Sequence, residues 1–277
     1  MALEPSIWTA NYVARYVRPQ TCRDDNAYVF QFGFGPPEAE RSLRSVHARY
    51  PDIVHKLHED GAQGAVTYLV DGALVSRDML DSAAELGFLR SHVPGLLDLN
   101  VLDIGAGYGR LAHRFRQMGH RGRYVCTDTV AMSLSLCRGY LDERGLPDVE
   151  VIEAASLASH ADLAEIDLAL AVHTFPEMTH ASIAYWMELL GAARVPFLFL
   201  VPNLPDDLRS TEVDGTRLPF GHLLQGAGYS LAHVDLKYPE AGEPERWVYQ
   251  DRHMLFCLRQ EACPSVRSDS RNQPSVP

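Results

Sequence analysis

From Asn100 onward the chain alternates short apolar runs with amphipathic stretches. The runs near 100–104, 123–128, 149–154, 166–174, 195–202, 229–237 and 252–259 read as strands. The stretches between them, about 108–119, 131–144, 158–164, 179–192 and 216–226, read as helices. Such alternation predicts an α/β fold, a parallel sheet with helices on both faces. The last two runs follow one another across the turn-rich Pro239 to Arg246, long enough for a hairpin.

Before Asn100 the pattern is mainly helical. Trp8, Tyr12, Val13, Tyr16 and Val17 stand at helical spacing, which suits a packing helix or a lid over a site. Residues 18–36 read as a loop with a short extended piece, and 38–56 as helix interrupted before Pro51. Residues 61–75 read as a turn-rich β segment around Asp71-Gly72. Ser76 is the expected N-cap of a helix to about His92, with Asp78 and Asp81 capping or solvating its first turns. These readings divide the chain into an N-terminal extension (1–95), a main domain (96–260) and a disordered tail (261–277).

The candidate chemistry begins at Asp103-Ile104-Gly105-Ala106-Gly107-Tyr108-Gly109. An apolar strand ends in an acidic residue, then a glycine turn, then a helix start. Glycines admit a ligand close to the backbone, and the helix start offers free N–H groups. A dinucleotide fingerprint wants a third small residue where this chain has Arg110. Asp103 suits a cationic ligand better than a pyrophosphate. Asp128, about 20 residues on, could accept both ribose hydroxyls or cap the segment from Thr129.

Asp103-x-Gly105-x-Gly107-x-Gly109 resembles motif I of the class I S-adenosylmethionine (SAM) methyltransferases. The resemblance implies a Rossmann-like seven-stranded sheet, mostly parallel, with an antiparallel last strand. It implies SAM as cofactor, held by Asp103, Gly105, Ala106, Gly107, Tyr108, Gly109, Asp128, Thr129, Ser156 and His173. Tyr108 could close over the methionine moiety. Ser156 stands where such enzymes contact adenine, in place of the usual acidic residue. Three local runs, 75–82, 134–141 and 173–178, are similar to the sugar O-methyltransferase group. Phe175-Pro176 departs from the small polar residue often found in that last run.

Methyl transfer to a hydroxyl needs a base near neutrality, and His173 at the end of the fourth strand is the candidate. Glu177 could orient His173, bind the acceptor or cap the helix at Thr179. His222 is a lesser candidate base, and Asn203 could face acceptor or metal. N- or C-methylation of a small natural product and a non-catalytic SAM-fold binding protein stay open.

Composition narrows the partners. The 277 residues carry a formal charge of −11 with no basic run, which argues against a nucleic-acid substrate. A small acceptor, a sugar or glycosylated metabolite, suits the balance better. No signal peptide or membrane span is expected, and five widely spaced cysteines suit free thiols in the cytoplasm. His55 and His58 at i, i+3 lack a third ligand, so no metal is expected. Residues 1–60 could form a lid, the arm of a homodimer, or both.

Overall fold

The computed structural model describes residues 6–23, 28–29, 31, 33–157, 162–204, 207–238 and 251–259. Its first part holds α1 (Ala10–Tyr16), α2 (Pro36–Arg49), α3 (Pro51–Val54), the hairpin β1 (Thr67–Val70) and β2 (Ala73–Ser76), and α4 (Arg77–His92). The hairpin turns at Asp71 and Gly72, both at positive φ, as its two-residue turn requires. Ser76 caps α4, its hydroxyl accepting from the amide of Met79 at 3.2 Å.

From Val101 strands and helices alternate. They are β3 (Val101–Ile104), α5 (Arg110–Gln117), β4 (Tyr124–Asp128), α6 (Ala131–Glu143), β5 (Glu150–Glu153), β6 (Leu168–Val172), α7 (His180–Ala193), β7 (Phe197–Val201), α8 (Gly221–Gly226), β8 (Tyr229–Leu236) and β9 (Arg252–Leu258). The sheet order is β5-β4-β3-β6-β7-β9-β8. Strands β3 to β7 pair in parallel, and β9 inserts antiparallel between β7 and β8. This is the expected Rossmann-like seven-stranded sheet with its antiparallel last strand. The order reverses direction at β3, where the chain moves outward to β4 and later returns to β6. Open α/β sheets bind ligands at that switch point, beyond the carboxyl ends of the strands.

Every residue of β3 is buried, because helices cover both faces. One core joins Leu80, Phe88 and Leu89 of α4 to Val101, Phe199 and Leu255 of the sheet, so residues on both sides of position 95 build it. The opposite face packs Ile183, Trp186 and Leu190 of α7 and Leu224 of α8 on Leu102, Ala169 and Leu198.

Several local expectations change. Asp78 and Asp81 are not solvated; both carboxylates are enclosed by cations. The helix expected over 216–226 begins only at Gly221, because Arg209 and Pro219 form an antiparallel bridge ahead of it. Of the helix expected over 158–164, residues 158–161 lie outside the described residues, and Leu163–Glu165 is a single 3-10 turn. The tail after 260 and the 239–246 turn also lie outside them. No described helix is long and apolar enough to cross a membrane, and no group of three or more metal-ligating side chains occurs among the described residues.

Candidate active site

The glycine turn leaves the end of β3 and is pinned to its neighbours. The amides of Gly105 and Ala106 donate to the Thr127 carbonyl at 2.8 and 3.1 Å. Gly105, Gly107 and Gly109 all have positive φ, which side chains disfavour. At Gly105 there is also no room. A Cβ there would lie 2.4 Å from Thr174 Cγ2, and Thr174 Oγ1 itself donates to the Ile104 carbonyl at 2.9 Å. The loop after β6 is thereby packed directly on the turn after β3.

Two carboxylates flank this turn with no ion-pair partner among the described residues. Asp103 is buried, and its Oδ2 accepts from Tyr124 at 3.0 Å. Burial pushes its carboxyl up to about 7. Asp128 ends β4; its Oδ1 accepts from the Val130 amide at 2.9 Å and its Oδ2 from Gly107 at 3.3 Å. Burial pushes it up to about 6, against the pull of those backbone donors. Asp128 therefore does make the local turn into α6, and it still faces the cavity.

His173 follows β6 with φ +59, a left-handed backbone that is rare outside glycine. Its amide is fixed to the Val201 carbonyl at 2.8 Å. Its Nδ1 lies 3.2 Å from Asn203 Oδ1, and its Nε2 lies 3.7 Å from Asp251 Oδ2. Burial raises Asp251, but Lys237, 3.0 Å away, and His173 outweigh it and hold the carboxyl below the usual range. Glu177 Oε1 accepts from Asn203 Nδ2 at 2.9 Å, and its Oε2 accepts from Trp8 Nε1 at 2.7 Å. Glu177 does not cap α7; Thr179 does, accepting from the Ser182 amide at 3.2 Å.

Most of these groups open onto one cavity of about 480 Å³. Asp103, Gly105, Ala106, Gly107, Tyr108, Asp128, Thr129, His173 and Glu177 all line it. Gly109 does not; it turns the chain into α5 beside Cys137. Ser156 is also absent from the lining, where Ala154 at the end of β5 stands instead. Tyr108 lines the cavity but is 2 % exposed and donates its hydroxyl to Asp78 at 2.7 Å, so it is a fixed wedge rather than a closing flap. His222 lies outside and stacks on His180.

The sequence reading missed Trp8, Tyr28 and Asp251 as cavity walls. Helical spacing at Trp8 did raise a lid as one option. Asp251 carried no local signal, since its partners are His173 after β6 and Lys237 after β8.

Residues 101–192 match a family described as a methyltransferase domain, about a third of the chain. No curated protein matches significantly. Among solved structures, a NADB-Rossmann superfamily protein from Streptococcus agalactiae is 18% identical, with 63% of this chain and 67% of that one covered and a TM-score of 0.45. A magnesium protoporphyrin IX methyltransferase from Synechocystis, with SAM bound, is 14% identical over 79% and 96%, TM-score 0.46. A SAM-dependent methyltransferase from Mesorhizobium loti is 16% identical over 64% and 99%, TM-score 0.44. Residues 101–192 are thus similar to a methyltransferase domain, and the strand order and glycine turn give them a Rossmann-like sheet with a ligand cavity at its switch point.

Proposed function

We propose that the protein moves the methyl group of SAM to a hydroxyl of a small acceptor, a sugar or other small metabolite, with His173 as general base. The observation that carries this reading is the place of His173. A strained backbone at the end of β6 sets its ring in the same cavity as the glycine turn, between Asn203 and Asp251.

The cradle suits the cofactor. The glycine turn lines the cavity, and beside it stand a buried carboxylate, Asp103, and a half-buried one, Asp128, neither with an ion-pair partner among the described residues. Asp128 would accept the ribose hydroxyls, and Asp103 would face the cationic end, with Ala106, Tyr108 and Thr129 as walls. When bound, SAM supplies an electrophilic methyl group on its sulfonium. His173 would take the acceptor's hydroxyl proton, and Asp251 would stabilise the imidazolium that results. Trp8 and Tyr12 give the cavity flat faces on which the C–H face of a sugar ring can lie, while Tyr28 packs over the Gly107 turn.

Calorimetry tests the first step: SAM or S-adenosylhomocysteine should bind, and Asp128→Ala should weaken it. Binding of NAD instead would sink the reading. Release of S-adenosylhomocysteine across a panel of glycosides tests the second. His173→Ala should keep cofactor binding and lose turnover; unchanged turnover would remove the base.

A further inference from the structure

We propose that Glu177 and Asn203 hold the proton of neutral His173 on Nδ1, leaving Nε2 as proton acceptor, and that Trp8 completes this chain. The inference rests on His173 as the base and says how it is set.

The argument follows donors and acceptors. A carboxylate only accepts hydrogen bonds. Glu177 Oε1 lies 2.9 Å from Asn203, so the amide must present its NH2 there. The amide carbonyl, Oδ1, then faces His173 Nδ1 at 3.2 Å. The reversed amide would set its carbonyl oxygen against a carboxylate. An imidazole nitrogen facing a carbonyl oxygen must donate, and a neutral ring carries one N–H. The lone pair is therefore on Nε2. That nitrogen is 3.7 Å from Asp251 Oδ2, too far for a hydrogen bond.

Trp8 closes the far end. Its Nε1 donates to Glu177 Oε2 at 2.7 Å, and Ser6 Oγ donates to the Glu177 carbonyl at 2.6 Å. The Trp8 ring stacks on Tyr28 at 4.9 Å and walls the cavity. Displacing this segment would open the wall and release one oxygen of Glu177 together. The base is thus fully set only when the cavity is covered. Glu177, Asn203 and Trp8 act through His173 and are positioning residues.

Glu177→Gln tests the chain sharply. Trp8 would take the glutamine oxygen, leaving NH2 toward Asn203. Asn203 would then turn its carbonyl to the glutamine and its NH2 to His173, which moves the ring proton to Nε2. The measurement is a long-range proton–nitrogen correlation spectrum of the full chain, labelled with 15N at histidine, with S-adenosylhomocysteine bound. A cooperative thermal melt like that of the wild type marks each variant as folded. The wild type should show His173 protonated at Nδ1, and Glu177→Gln should show it protonated at Nε2. Asn203→Ala should show a mixture, and Trp8→Phe a partial loss of the Nδ1 form. An Nε2-protonated wild type, or a tautomer indifferent to Glu177→Gln and Asn203→Ala, overturns the proposal. A spectrum unchanged in Trp8→Phe overturns the part given to Trp8. If the tautomer inverts as stated while His173→Ala keeps turnover, the chain stands and the base assignment falls.

Discussion

Arg110 grips both oxygens of Glu85, with Nη1 at 2.7 Å and Nη2 at 3.0 Å. The residue that breaks the dinucleotide spacing is thus the clasp between α5 and α4. Ser82 on α4 accepts a further bond from Arg110 Nη1 at 2.7 Å. Glu85 is fully buried. Removing one member of such a pair leaves the other uncompensated, whereas an apolar replacement of both can be neutral. Glu85→Ala should lower unfolding stability by roughly 3–5 kcal/mol. Glu85→Met with Arg110→Met should recover most of it. Urea melts of the two variants and the wild type decide; a near-neutral Glu85→Ala would show that the clasp holds nothing.

If Asp128 holds the ribose as proposed, cofactor binding should depend on pH. Its carboxyl, pushed up to about 6 by burial, must be ionised to accept two hydroxyl donors. Protonation below that value turns an acceptor into a donor. SAM affinity should fall with acid below pH 6, approaching about tenfold per unit. Asp128→Asn should bind weakly at pH 8 and lose that step. Calorimetry between pH 5 and 8 reads both; a flat wild-type profile would remove Asp128 from the ribose contact.

Asp103 makes the opposite demand on the ligand-free protein. Its carboxyl is pushed up to about 7 in the fold, against about 3.8 unfolded. A carboxyl raised by folding adds stability while protonated, and that stability is lost as pH rises from about 4 through 7. Asp103→Asn keeps an acceptor for Tyr124 and never ionises. The variant should gain on the wild type as pH rises, by roughly 4 kcal/mol at pH 8 and little at pH 4. It should also bind SAM more weakly. A stability gap that does not widen with pH would show that Asp103 ionises freely.

The sheet was legible because β3, β4 and β6 are almost wholly buried, so their apolar runs stand clear of the amphipathic helices between them. The β1–β2 turn and the Ser76 cap were legible because they are local. The carboxylates of α4 were not. Acidic residues in a first turn ordinarily favour the helix dipole and face water. Here Arg23, 55 positions earlier, donates to Asp78 at 2.6 Å, and Arg114 adds a bond at 2.9 Å. Lys237 reaches Asp81 at 3.0 Å. The link from Trp8 to Glu177 spans 169 positions. Periodicity and spacing carry nothing about partners that only the tertiary fold brings together, so the glycine turn was readable and the surroundings of His173 were not.

Gly105 and Gly139 should respond to alanine with opposite signs. Gly105 has φ +72, where an L residue costs about 1–2 kcal/mol, and its Cβ would strike the Thr174 side chain at 2.4 and 2.5 Å. Both costs fall on the glycine turn that lines the cavity. Gly139 lies within α6 at ordinary φ, with nothing within 4 Å of a Cβ. Alanine there removes the entropy cost of glycine in a helix and should stabilise by about 0.5–1 kcal/mol. Gly105→Ala should lose SAM binding and several times that stability. Adding Thr174→Ala clears the two closest atoms but leaves the Thr174 Cβ position at 3.0 Å and the backbone strain. The double variant should therefore recover only part of the stability. Thermal melts with and without S-adenosylhomocysteine separate the contributions. Full recovery would show that the clash alone matters, and wild-type binding by Gly105→Ala would remove this turn from the cofactor site.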